Sequence, residues 1–203
     1  MTSSITNALI DVRKAYRLLA DYQQRVVELL SVVREELGAR HYHHHCRNQT
    51  PRDLARLERS NDGGKRLLPF NDISVLWLRD GGQEDPVHHH QKGDLLIDVW
   101  VRSDTGNGES GEPKLAPEQS DSELRIYFFL CIDPSKESCN WYYKIWSCTD
   151  YPELGKVSTC DGNPGYRAYG EVLKLSDLSD AASVRHAITG LRERASVMFE
   201  QLV

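Results

Sequence analysis

Residues 94–102, DLLIDVWVR, and residues 124–132, LRIYFFLCI, are the stretches that decide the fold. Leu95, Ile97, Val99 and Val101 fall on one side of the first; Leu124, Ile126, Phe128, Leu130 and Ile132 fall on one side of the second. A period of two residues marks half-buried strands. Residues 73–79 (ISVLWLR), 141–148 (WYYKIWSC) and 166–175 (YRAYGEVLKL) read the same way, so about five strands are expected between residues 68 and 175. The link DPSKESCN after Ile132 is hairpin-sized, which favours antiparallel neighbours and a meander. Residues 103–122 are rich in glycine, proline, serine and acids, with only Leu115 and Ala116 apolar, and predict a mobile acidic loop.

Outside the sheet the period becomes helical. In residues 4–37, Leu9, Val12, Tyr16, Leu19, Val26, Leu30, Val33 and Leu37 recur at steps of three and four, with Gln23 in the one polar place. This is a long amphipathic helix, closed by Gly38. Unbroken, it would run roughly 50 Å, against a diameter of roughly 43 Å for a compact chain of this size. It must bend, protrude or pack against a partner. A short basic helix is expected at 50–61, capped by Thr50, started by Pro51 and ended by Gly63-Gly64. At 180–203, Val184, Ile188, Leu191, Ala195, Met198 and Leu202 form a second stripe, capped by Ser179 or Asp180. The expected fold is a single α+β domain over 1–203, an antiparallel meander with the long N-terminal helix and the C-terminal helix packed on one face.

Composition sets the outer limits on function. The 203 residues are 39% hydrophobic and 27% charged, which suits a globular chain and excludes collagen-like and wholly disordered classes. No apolar stretch approaches the ~18 residues of a membrane span. The opening MTSSITNALIDVRK carries no apolar run of signal-peptide length, so a cytoplasmic location is expected. The net charge of −5 divides unevenly, +4 over residues 1–69 and −9 over 70–203. Five cysteines, at 46, 131, 139, 148 and 160, include no C-x-x-C, so reduced thiols are expected, with a Cys139–Cys148 bridge as the alternative.

Several groups invite a chemical reading. HYHHHC at 41–46 and HHH at 88–90 offer imidazoles; if residues 41–45 are extended, His41, His43 and His45 share a side and could hold zinc with Cys46 or Asp94. The competing expectation is that these are polar loop histidines and that no cofactor is bound, since no HExxH pattern is present. Arg52, Arg56 and Arg59 stack on one face of the short helix, suited to an acidic protein surface or a nucleic-acid backbone. On alternating strand positions, Trp141 and Tyr143 share one face and Tyr142 and Trp146 the other; one set must be core, and the other could be a stacking platform or a protein-binding patch, against the alternative that all are structural. Asp98 with Glu123-Leu124-Arg125 approaches the D…E-x-K arrangement of a metal-dependent nuclease, with arginine in place of the lysine. Arginine does not give up its proton near neutral pH. No P-loop, G-x-S-x-G or dinucleotide fingerprint occurs.

Three readings follow. The first is a non-catalytic protein-binding module (adaptor, inhibitor or immunity-type partner), working as a homodimer or with a protein partner. Its contact residues would be Arg52, Arg56, Arg59, Trp141, Tyr143 and Trp146. The second is a metal-dependent hydrolase or nuclease using the histidine clusters or Asp98 and Glu123. The third is a nucleic-acid-binding accessory protein. The absence of any complete catalytic motif favours the first.

Overall fold

The computed structural model describes residues 2–46, 71–106 and 114–200. Helix α1 (Thr2–Glu36) is followed by strands β1 (Arg40–Cys46), β2 (Asn71–Arg79), β3 (Leu95–Arg102), β4 (Glu123–Cys131), β5 (Val157–Cys160) and β6 (Asn163–Lys174), and by helix α2 (Ala181–Glu200). The strands form one six-stranded sheet in the order β1-β2-β3-β4-β6-β5, every pair antiparallel. The α+β arrangement is as the sequence predicts, with six strands in place of about five.

Alternation sorts the strand residues onto two faces. Trp77, Leu95, Ile97, Val99, Val101, Leu124, Ile126 and Phe128 point to one face and are buried there against the second half of α1 and the stripe of α2. From α1 come Val26, Leu30, Val33 and Leu37; from α2 come Val184, Ile188, Leu191 and Ala195. Gly38 ends α1 in a left-handed conformation (φ 62°), letting the Ala39 amide donate to Arg34 and the chain reverse into β1. Asp180 opens α2: its carboxylate accepts the Ser183 amide at 2.8 Å while the Asp180 amide donates to the Ser183 hydroxyl at 3.1 Å.

The second face carries its own core of Leu76, Leu78, Leu96, Tyr127, Phe129, Cys131, Tyr166 and Ala168. Here one expectation fails. Residues 141–148 are not a strand: Trp141–Ile145 is a single π-helical turn, continued by a 3₁₀ turn at Trp146–Cys148. The Asn140 side-chain oxygen accepts the amides of both Tyr142 and Tyr143 at 3.0 Å, so a cap overrides the β-propensity of the aromatics. The turn delivers Trp141 and Ile145, four residues apart, into the second core. Two strands escaped the sequence reading. β1 is an edge strand with polar side chains, and β5 spans only four residues.

The predicted short helix at 50–61 lies outside the described residues, as does 107–113 of the predicted loop. The feet of that loop are tied, the Thr105 amide donating to Asp121 at 2.9 Å and the Lys114 amide to Gly106 at 2.7 Å. Cys131, Cys139, Cys148 and Cys160 are free thiols, so no Cys139–Cys148 bridge is formed. Among the described residues, no helix is long and apolar enough to cross a membrane.

Candidate functional site

Asp98 sits in the middle of β3 on the second face and is fully buried. Its carboxylate accepts the Trp146 indole at 2.8 Å and the Tyr151 hydroxyl at 2.5 Å, with the Ser74 hydroxyl at 3.5 Å. Tyr151 also packs on Tyr127, centroids 4.2 Å apart, and Tyr127 lies across Gly170, where a Cβ would come within 2.2 Å of the ring. The carboxylate therefore pins the segment 141–151 to the sheet, with neutral donors converging on its Oδ2.

Glu123 shares that face but not that place. It pairs with Arg102 at 3.3 Å and Arg125 at 2.7 Å, and both guanidinium groups stand 5.2 Å from the Trp100 ring centroid. Because Glu123 is opposite Arg102 in the ladder, it lies four residues along the strand from Asp98, or about 13 Å. The pair of acids that a metal-dependent nuclease would need is not assembled.

The histidines divide as well. β1 is extended, but its register shifts between His41 and His43. The bulge breaks simple alternation, so His41 stands opposite Trp77 on the helix-covered face and His43 opposite Leu76 on the other. His43 meets the edge of Tyr142 at 4.6 Å; burial and the neighbouring His44 charge lower its pKa. His45 approaches the Tyr142 hydroxyl through Nδ1 at 3.3 Å and Trp146 at 5.4 Å between centroids. The expected trio His41, His43 and His45 thus does not converge; the side chain of Cys46 lies outside what the structure describes. Among the described residues, no three His, Cys, Asp or Glu side chains gather to hold an ion.

In the second histidine run, His88 and His90 are built into the fold, while His89 is exposed. His90 is 7% exposed and stacks on Trp141 at 3.9 Å. Its Nδ1 lies 2.7 Å from the Tyr166 hydroxyl and its Nε2 3.2 Å from the Val87 carbonyl. Neutral imidazole fits both contacts, Nε2–H donating to the carbonyl and Nδ1 accepting from the phenol. Burial lowers its pKa, against an opposing push from the Val87 carbonyl. His88 joins Asp85 (Nδ1, 3.1 Å) to the Asn140 amide (Nε2, 3.0 Å), which braces the cap of the π-turn.

The expected contact residues meet different fates. Trp141 is 1% exposed and belongs to the core, its indole donating to the Pro86 carbonyl at 3.0 Å. Trp146 is half-buried on Asp98. Tyr143 is 69% exposed. Arg52, Arg56 and Arg59 lie outside the described residues.

Most of the exposed large apolar side chains among the described residues lie on α1. The stripe that is at most 8% exposed at Val26, Leu30, Val33 and Leu37 continues toward the N-terminus through Ile5 (66%), Leu9 (51%), Val12 (48%) and Tyr16 (70%). Leu19 and Gln23 mark the transition, both half-buried. The step pattern does not change along the helix; only the company it keeps does. Of the three fates open to a helix longer than the body, the described chain protrudes.

These features define an α+β protein with an antiparallel sheet covered on both faces and a helix whose apolar stripe outruns its own core. The chain belongs to the PM0109 family, whose model matches residues 2–199. It is 41% identical over 202 residues to Uncharacterized protein PM0109 of Pasteurella multocida (strain Pm70), covering 97% of this chain and 96% of that one. No solved structure matches it.

Proposed function

We propose that this protein is a non-catalytic protein-binding module, an adaptor, inhibitor or immunity-type partner that works in the cytoplasm as a homodimer or with another protein. The observation that carries the reading is the exposed apolar stripe Ile5, Leu9, Val12 and Tyr16 on the projecting half of α1. Exposed apolar side chains scattered singly need no explanation, but four in register on one helix face form a contact surface. The chemistry elsewhere supports the same reading: Asp98, His88 and His90 are used in holding the fold, and Glu123 in neutralising two arginines. Tyr143, exposed and edge-on to Tyr142, adds a smaller aromatic contact.

The test is native mass spectrometry of the protein isolated from its own cells. Wild type is expected to carry a stoichiometric partner, either a second copy or another chain. The double substitution Leu9→Ser with Tyr16→Ser should release it while leaving the far-ultraviolet circular dichroism unchanged. Assembly that survives the double substitution would remove the helix as the contact surface.

A further inference from the structure

The apolar stripe of α1 follows a strict 4-3 alternation from Ile5 through Leu9, Val12, Tyr16, Leu19, Gln23, Val26, Leu30 and Val33 to Leu37. Such a row is a coiled-coil seam, in which each side chain inserts between side chains of a facing helix. Over its second half the facing surface is the chain's own sheet and α2. Over its first half the seam is exposed. Resting on the reading that this half is the contact surface, we propose that its occupant is residues 5–16 of a second copy, paired antiparallel about a two-fold axis near Ile10 and Asp11.

Three observations select this partner and this direction. The first is self-complementarity. When two helices cross at that axis, Ile5 of one copy faces Tyr16 of the other and Leu9 faces Val12, so the four exposed seam positions close entirely on themselves. Large rings then meet a branched aliphatic chain at each end, and two aliphatic layers fill the middle.

The second is charge. The positions flanking the seam are Thr6, Ala8, Arg13 and Ala15, and Arg13 falls beside Thr6 of the second copy. The remaining charges of this half lie away from the seam, Asp11 and Lys14 already paired to each other at 3.0 Å. No like charges are brought together, and the two small alanines allow close approach.

The third is steric. The seam drifts by only about 20° per heptad along α1, so its exposed half faces broadly the side on which the second half carries the chain's own sheet. A parallel partner would drive its residues 22–36 into the space that sheet occupies. An antiparallel partner ends there: pairing about residues 10 and 11 places its Thr2 level with Leu19, where the seam begins to be covered. The projecting length, about 26 Å for residues 2–19, is therefore the length that a second copy fills before meeting the body.

The experiment is light scattering of the full chain at roughly 50 µM, since assembly follows mass action. Wild type is expected to be dimeric. Leu9→Glu and Val12→Lys, each on an exposed helical face, are each expected to weaken the dimer about 30-fold or more, with circular dichroism and thermal unfolding of the monomer unchanged. Mixing the two variants one to one should restore a dimer. In the antiparallel register the acidic substitution of one copy faces the basic substitution of the other, whereas a parallel register leaves it against Leu9. A mixture that stays monomeric overturns the antiparallel pairing. A monomeric wild type, or a dimer that neither substitution weakens, overturns the self-pairing altogether. If that monomer still holds a stoichiometric foreign chain which Leu9→Glu releases, self-pairing falls and the contact-surface reading stands; if nothing responds to Leu9→Glu, both fall.

Discussion

Buried polar side chains organise the second sheet face by gathering hydrogen bonds from segments distant in sequence. Asp98 collects an indole and a phenol, and His90 bridges a phenol and a carbonyl. Asp94 accepts from the Gly81 and Gln91 amides at 3.2 and 2.7 Å, which knots the β2–β3 connection. The His90 ring has a pH signature. Its folded-state pKa is depressed, so the neutral form is the one the fold holds. Above the unfolded value of about 6.5 its contribution is fully present. As pH falls below that value the unfolded chain takes up a proton that the folded chain refuses, and stability declines. His43, also lowered, acts in the same direction but near the surface, where water screens the effect. The thermal midpoint is therefore expected to drop between pH 7.5 and 5.5, and His90→Gln should flatten that part of the curve. A slope identical in the variant would show that His90 is not its source.

At the scale of elements, α1 is two helices in energetic terms. Leu9 and Leu30 are the same residue type on the same stripe, one 51% exposed and the other 8%. Leu30→Ala deletes buried methyl groups and leaves a cavity, so it should cost about 2–5 kcal/mol. Leu9→Ala, measured by denaturant unfolding at protein concentrations low enough to keep the chain monomeric, should stay within about 0.5 kcal/mol. Alanine and leucine differ little in helix propensity, so the contrast isolates burial. Equal losses at the two positions would mean that the projecting half is held by its own chain. The bulge in β1 is the other decision made at this scale. One extra residue at Tyr42 sends His41 and His43 to opposite faces and frees Tyr42 to donate to the Asn140 side-chain oxygen at 3.3 Å.

At the scale of the whole molecule, the described residues form three layers: two helices, a sheet, and a third layer formed by the helical turn at 141–148 with the β2–β3 connection. Cys131 and Cys160 lie in the core between sheet and third layer, and burial pushes both thiols up to about 11. Cys148 is exposed, its thiol donating to the Tyr143 carbonyl at 3.2 Å. Thiolate is the reactive form. An aromatic disulfide reagent at pH 8, followed by peptide mass spectrometry, should modify Cys148 rapidly and Cys131 and Cys160 only as fast as the fold opens. Destabilising the helix side with Leu30→Ala should then accelerate labelling of the two buried thiols, since both cores share one sheet. Labelling of Cys131 and Cys160 that ignores Leu30→Ala would mean that the third layer opens independently.

The fold class, both helices and the central strands are legible in the residues because each rests on a period that needs only neighbours in sequence. The 4-3 stripe of α1, its stop at Gly38 and the alternation of β3 and β4 are local patterns with a local cause. Even the protrusion of α1 is foreshadowed, since its length exceeds the diameter of a compact body. What tertiary structure alone decided are the features in which distant groups compete with local preference. The aromatic run at 141–148 has strand propensity, yet Asn140 and the pocket awaiting Trp141 and Ile145 wind it into a helical turn. The histidines of β1 alternate in sequence, yet one bulge separates them. Asp98 and Glu123 share a face, yet the register sets them apart along it. The exposed and buried halves of α1 are indistinguishable by period, and only the place where the sheet ends divides them. Periodicity reports which way a side chain points, and register, bulges and caps decide what it meets there.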